Sequence, residues 1–309
     1  MKEKELISII KTNLNSSFIG DDCAFLQDLG IVVTQDSLVE DVHFSLNFIM
    51  AFQLGYKSVM VNVSDIAASG GECKYITISL SLPKNIDDNF VKDFYDGAKK
   101  ACGSSIQIVG GDITGSDKVY ISVCAIGTTQ DRNISSRANA KIGYNVVVSG
   151  FHGSSCLGLK ILQDNSFALL NDSDKRRIIS SHLEPKAQVE FGKNVGKIVK
   201  ESYAMMDTSD GLMDALSTIA NESGVLLEID FEKIPHDKIL ETVKNWEEMV
   251  LFGGEDYGIV AVIPQGYDVG GAIVGQVKSG LGVDLKIGNT LKHYSKIDVD
   301  NKLFNHFDY

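Results

Sequence analysis

No stretch of this chain is apolar for long. Its most apolar segments, residues 75–82 and 146–148, fall far short of the roughly 20 residues a membrane-spanning helix needs. The opening Met1-Lys2-Glu3-Lys4-Glu5 mixes charges and runs into an amphipathic segment, unlike a signal peptide. The expectation is a cytoplasmic protein without a membrane partner. Paired cysteines are also missing: Cys23, Cys73, Cys102, Cys124 and Cys156 are odd in number, widely spaced and without a C-x-x-C. That argues against a disulfide framework or a zinc site and for a reducing compartment, with the thiols as small residues without chemistry. Positive charge is scarce as well, with 29 Lys and Arg against 41 Asp and Glu and a net charge of −12. A nucleic-acid partner needs a basic surface, so none is expected.

Common nucleotide-binding loops are absent. Gly55-Tyr56-Lys57-Ser58 has the wrong spacing for a phosphate-binding loop, and no complete G-x-G-x-x-G occurs. The run from Gly150 to Gly158, after an apolar segment, is either a phosphate cradle at a helix N-terminus or only a tight turn. No short-period repeat or low-complexity segment is visible.

What is present is a chain of 309 residues, 44% hydrophobic, long enough for two cores. Apolar spacing predicts helices over 4–13, 51–69, 87–102, 153–162, 185–200 and 211–222. Strands are predicted over 31–34, 75–82, 106–109, 119–126, 145–149, 225–230 and 258–263. Residues 128–143 are polar and mark a junction. The irregular alternation indicates a two-domain α+β or mixed α/β fold, with domains 1–136 and 137–309.

Five acidic motifs then draw attention: Gly20-Asp21-Asp22, Thr34-Gln35-Asp36, Asn62-Val63-Ser64-Asp65, Gly110-Gly111-Asp112 and Asp207-Thr208-Ser209-Asp210-Gly211. Each sets an Asp beside Gly, Ser or Thr where one element is expected to turn into another. Singly, such motifs are helix caps or turns. Together, in a chain too acidic to bind anions unaided, they suit magnesium, which takes oxygen ligands from carboxylates and substrate phosphates. Asn62 and Asp65 share a helix face, and a buried polar pair there needs a partner that a metal would supply.

These motifs resemble those of the thiamine-monophosphate kinase family in order along nearly the whole chain. The match continues through Asp36-Ser37-Leu38-Val39-Glu40-Asp41-Val42-His43-Phe44, Tyr56-Lys57-Ser58-Val59, His182-Leu183-Glu184-Pro185, Gly253-Gly254-Glu255-Asp256-Tyr257 and the closing His306-Phe307. The Asp motifs alone indicate the wider superfamily of aminoimidazole ribonucleotide synthetase and selenophosphate synthetase; V-H-F, G-G-E-D-Y and the terminal H-F point to the thiamine enzyme. The resemblance implies an N-terminal domain that pairs in a homodimer, a C-terminal α/β domain, and a cleft between them for nucleotide and several Mg2+ ions. It implies Asp22, Asp36, Asp65, Asp112, Asp207 and Asp210 as metal ligands, with Thr34 and Gln35 alongside. Gly111, Asp112, Arg137 and Ser209 would contact ATP, and His43, Glu255 and Phe304 thiamine monophosphate.

The chain departs from the family pattern at Gln35, commonly Thr, at Gly258, commonly acidic, and at Phe304, commonly Trp or Tyr. Asp112-Ile113-Thr114-Gly115 lacks the basic residue usual just after this motif, and with it one expected phosphate contact. Phe304 is read either as a stacking partner for the thiazolium or as an anchor for the tail, and Arg137 as a phosphate clamp or a surface charge. The competing functions are another ATP-using enzyme of the superfamily, such as a selenophosphate synthetase, or a non-catalytic nucleotide-binding scaffold. The first is disfavoured because Cys23 lacks the Gly-rich loop that family uses. The implied acceptor is a phosphate monoester with a second pKa near 6, already mostly ionised at neutral pH, so no general base is expected.

Overall fold

The computed structural model describes residues 3–164 and 170–304. A leading helix α1 (Glu3–Leu14) precedes a first layer built from β1 (Ala24–Leu26), β2 (Ile31–Val39), α2 (Ala51–Ala68), β3 (Glu72–Leu82), α3 (Asp88–Cys102), β4 (Gln107–Gly115) and β5 (Tyr120–Thr128). The strands form one sheet in the order β1-β2-β5-β3-β4. Only β3 and β4 run parallel, joined by α3 as the crossover that parallel neighbours require.

Strand alternation gives this sheet two different faces. Ile76, Ile78 and Leu80 of β3 and Ile121, Val123 and Ala125 of β5 are buried beneath the helices. The opposite face carries Thr77, Ser79 and Ser122 and leaves Tyr75 and Tyr120 partly exposed. Helices α2 and α3 meet at two glycines: a Cβ on Gly55 would lie 1.9 Å from Phe94 O, and one on Gly97 1.8 Å from Phe52 O. Only hydrogen at those positions lets the backbones approach so closely.

The second half contributes β6 (Asn145–Ser149), α4 (Ser154–Gln163), α5 (Asp172–Leu183), α6 (Val189–Ile198), β7 (Ala204–Asp207), α7 (Leu212–Ser223), β8 (Leu226–Asp230), α8 (Trp246–Phe252), β9 (Ile259–Ile263), β10 (Ala272–Lys278), β11 (Gly282–Ile287), β12 (Thr290–Tyr294) and α9 (Lys296–Asp300). Its sheet runs β12-β11-β8-β10-β6-β9-β7. Every residue of β7 and β9 is buried, even though β7 is the last strand of that order. The mixed α/β class with two sheets agrees with the sequence reading. Helices α5, α8 and α9 and strands β1, β7 and β10–β12 were not anticipated, being short or polar. The predicted strand at 31–34 continues to Val39, and that at 106–109 to Gly115. The Thr34-Gln35-Asp36 and Gly110-Gly111-Asp112 motifs therefore lie within strands, not at their ends.

The two halves meet along α2. Its last residues Ala67 and Ala68 share a buried cluster with Val147, Phe191, Val195, Met205 and Ile259. Helix α6 can lie against them because a Cβ on Gly192 would sit 2.1 Å from Ala67 O. Leu183 and Tyr257, both from the second half, are buried in the core of the first. This docking brings the end of α2 beside the end of β7.

Candidate active site

Helix α2 and strand β2 build one side of the site. Thr34 and Asp36 alternate on the strand face that looks at the helix. Thr34 Oγ1 donates to Asp65 Oδ2 at 2.6 Å, and the Asp36 backbone N–H donates to Asn62 Oδ1 at 3.0 Å. Asn62 in turn donates from Nδ2 to Ser58 O. The buried polar pair read from the sequence is thus oriented by its own helix and by β2. Ser64 crosses to the second half, donating to Asp207 Oδ2 at 2.7 Å, although the two residues are 143 positions apart. Ser209 donates to the other oxygen of Asp207 from both its backbone N–H and its hydroxyl.

Asp22 arrives from the loop before β1. Arg137, in the junction, donates from Nη2 to Asp22 Oδ1 at 2.7 Å, from Nη1 to Gly20 O, and from its backbone to Asp21 Oδ1. One carboxylate oxygen from each of Asp22, Asp65 and Asp207 lies within 4.8 Å of the others. Burial raises all three carboxyl pKa values. Asp22 is pushed up to about 7, against the opposing pull of Arg137 and with a further push from Asp207. Asp65 is raised well above the usual range by burial and then by Asp36, Asp207 and Asp22. For Asp207 burial outweighs the hydrogen bonds from Ser64 and Ser209. Three acids in one spot, Asp207 buried and Asp22 and Asp65 partly so, each resisting ionisation, form a hard oxygen donor set short of positive charge.

Other expected site residues fall elsewhere. Gln35 points to the opposite sheet face, where its Nε2 donates to Ser122 Oγ at 3.1 Å. Asp112 is exposed on β4, paired through Ser79 and Ser122 with Ser37. Three strand spacings of about 4.8 Å place it about 14 Å from β2 on that same open face, with Gly111 beside it. Asp210 is exposed just beyond Ser209. His43 is partly buried and accepts from the Val39 N–H through Nδ1. Phe304 is 72% exposed, which removes the reading of it as a core anchor. His306-Phe307 lies outside the described residues. Cys23 is buried beside the carboxylates, and that burial pushes its thiol well up, the reverse of what a nucleophile needs.

Residues 20–129 match the family "AIR synthase related protein, N-terminal domain". The chain is 37% identical to the thiamine-monophosphate kinase of Aquifex aeolicus over 84% of its own length and 85% of that protein. It is 34% identical to the Bacillus subtilis enzyme over 79% of its length and 77% of that one. The solved structure of AaThiL complexed with AMPPCP and TMP superposes with a TM-score of 0.85 at 34% identity, covering 95% of this chain and 97% of that one. The chain belongs to the thiamine-monophosphate kinase family.

Within that family's G-G-E-D-Y motif, the geometry shows roles that motif reading missed. Asp256 accepts from the Gly153 N–H at 2.6 Å and the Ser155 N–H at 2.8 Å. The helix N-terminus after Gly150 is therefore filled by the chain's own carboxylate, and the tight-turn reading of that segment stands over the phosphate cradle. Glu255 and Tyr257 both adopt positive φ, at 64° and 50°. The Glu255 N–H donates to Ser209 O, tying this strap to the Asp207 loop. Glu255 Oε1 lies 3.0 Å from Lys57 Nζ, and Oε2 lies 3.2 Å from His182 Nδ1. One sequence signal pointed to Lys57: α2 has 18 residues and only one other charge, Asp65.

Proposed function

We infer that this kinase transfers the terminal phosphoryl group of ATP directly to the phosphate of thiamine monophosphate, giving thiamine diphosphate and ADP. The observation that carries this reading is the convergence of Asp22, Asp65 and Asp207 where the two halves meet. Two phosphate groups must be brought together, and each pair of unit charges about 4 Å apart costs about 4 kcal/mol at an effective dielectric near 20. The donor set fits magnesium: all oxygen, acidic, largely withdrawn from water and with raised pKa values that only a cation or protons relieve. Asp22, Asp65 and Asp207 would hold it, with Asp36 and Asp210 at the margin, and several ions would be bound. Bound magnesium would supply counter-charge to both phosphates and align the in-line displacement.

The remaining work falls to the chain's own groups. Thr34, Ser64 and Ser209 fix the carboxylates by hydrogen bonds. Arg137 balances Asp22 and stands ready to clamp an ATP phosphate, with Ser209 as a second contact. His43, Glu255 and Phe304 would receive the acceptor, Glu255 meeting its cationic ring and the exposed Phe304 stacking on it. We place the domain boundary at 136/137, in the irregular junction. The open face of the first sheet, with Tyr75 and Tyr120, supports pairing as a homodimer, which would put Gln35, Gly111 and Asp112 at or near the interface. Among the described residues no helix is long and apolar enough to cross a membrane, which suits a cytoplasmic enzyme.

The test is direct. The protein, ATP, magnesium and thiamine monophosphate are incubated and thiamine diphosphate is measured by fluorescence after oxidation, with free thiamine as a parallel acceptor. Product only from the monophosphate is expected. ATP binding without product would favour the scaffold.

A further inference from the structure

Lys57 is wholly buried on α2, in the first half of the molecule, yet its ammonium faces a carboxylate from the second half. Its contact with Glu255 Oε1 is a close charge pairing outside the angular range of a directed hydrogen bond. Burying a lysine is costly, and one retained where the two halves meet needs a reason.

The strap carrying Glu255 is held firmly. Asp256 fastens it to the start of α4, Tyr257 is buried in the first core, and two non-glycine positive-φ residues, Glu255 and Tyr257, flank Asp256. Such backbone persists only where the surroundings enforce it. The consequence is that the Glu255 side chain is delivered to one place, between Lys57 and His182. His182 does not supply full charge there: burial, then Lys57, lowers its pKa to about 4, and Ser155 Oγ lies 3.0 Å from the same Nδ1. His43 also acts on Glu255 from the segment after β2, while Asp256 and Tyr257 flank it in sequence. Burial pushes the Glu255 carboxyl up, but Lys57 followed by His182 holds it below its usual range. Each carboxylate oxygen has two acceptor directions, so one neighbour at each oxygen does not exhaust the group's capacity.

We propose that Lys57 is a positioning residue for the acceptor: its ammonium anchors the Glu255 carboxylate across the junction of the two halves and presents it, still charged, to the cationic ring of the substrate. This rests on the assignment of Glu255 to the acceptor made above. A cation beside a cation-binding site is unfavourable by itself, but without it the partly buried carboxylate would take up a proton more readily and lose its attraction for the ring.

Steady-state kinetics with thiamine monophosphate and MgATP from pH 6 to 9 test the proposal. Each variant's KM is divided by the parent's at the same pH, which cancels the titration of the substrate phosphate. In Lys57→Met the KM ratio for thiamine monophosphate is expected to be about tenfold one pH unit below the new Glu255 midpoint, shrinking as pH rises. The KM for ATP should stay within about twofold of the parent. Glu255→Gln should raise the acceptor KM equally at every pH, the double variant should match Glu255→Gln alone, and Lys57→Arg should restore a flat profile.

A pH-independent Lys57→Met ratio, or additivity in the double variant, overturns the role of Lys57. A Glu255→Gln enzyme with the parent's acceptor KM overturns the assignment of Glu255 itself. Should Lys57→Met not fold, Glu255→Gln decides alone. Its KM ratio stays constant down to pH 6 if Lys57 keeps the parent carboxylate ionised, and falls towards one between pH 8 and 6 if it does not.

Discussion

Asp65→Asn separates a metal-binding carboxylate from a structural one. In the metal-free protein Asp65 shares a space less than 4.8 Å across with Asp22 and Asp207. Two full charges at that distance repel by about 3.5 kcal/mol at an effective dielectric near 20. The actual relief on removing one is smaller, because the raised pKa values, about 7 for Asp22, already leave the cluster partly protonated near neutrality. Asparagine keeps the size of the side chain and an oxygen that can accept from Thr34, now 2.6 Å from Asp65 Oδ2. Metal-free Asp65→Asn should therefore melt at or above the parent's temperature, by no more than several degrees at about 2–4 °C per kcal/mol.

Magnesium should reverse the order. A ligand at 100 times its dissociation constant stabilises the folded state by about 2.7 kcal/mol, so the parent's melting point should climb and the variant's should lag. Turnover should fall at least about 100-fold, equivalent to about 2.7 kcal/mol of transition-state stabilisation. Differential scanning fluorimetry with and without magnesium, beside the fluorescence assay, reads both effects. A variant that loses stability without metal while retaining near-normal turnover and the same magnesium midpoint would refute the reasoning. Asp65 would then be a hydrogen-bond acceptor for Thr34 and nothing more.

Other perturbations test the fold and the acceptor site. His152 is fully buried with neither ring nitrogen hydrogen-bonded among the described residues, and burial lowers its pKa from 6.5 to about 4. A base so depressed adds stability that is complete above pH 6.5 and lost as pH falls towards 4, by at most about 3 kcal/mol. His152→Leu should lose correspondingly less stability than the parent between pH 7.5 and 4 in urea titrations; equal losses would contradict it. Gly55→Ala places a Cβ 1.9 Å from Phe94 O and should cost about 3 kcal/mol or more, so a loss under about 1 kcal/mol would mean α2 and α3 are not so closely packed. Phe304→Ala, at an exposed position, should leave the melting temperature within about 1 °C and raise the acceptor KM by about 2- to 30-fold, the equivalent of about 0.5–2 kcal/mol for a cation–π contact. A lower melting temperature with an unchanged KM would restore the anchoring role.

Local chemistry in this chain is legible one residue at a time. The spacing of apolar residues in α2 marks a helix, Asn62 and Asp65 fall on one face of it by period alone, and the family motifs name the reaction. The acid-rich composition demands a counter-charge for any phosphate ligand. Other features escape a linear reading because their partners are distant. Thr34 and Gln35 are neighbours, but the two-residue period of β2 sends one to Asp65 and the other to Ser122 on the far face. Asp112 stands in an acidic motif of the same kind as those of Asp22, Asp65 and Asp207, yet the strand order sets it across the sheet from Asp36.

Which carboxylates meet was decided by tertiary packing alone. Helix α6 approaches Ala67 because position 192 has no side chain, and that approach carries the end of α2 to the end of β7. Ser64 thereby reaches Asp207, and Lys57 finds Glu255. Sequence determines which groups can carry charge and which segments repeat at 2 or 3.6 residues. Convergence of those charges depends on how closely two backbones can approach, a property of pairs of surfaces that no single segment contains.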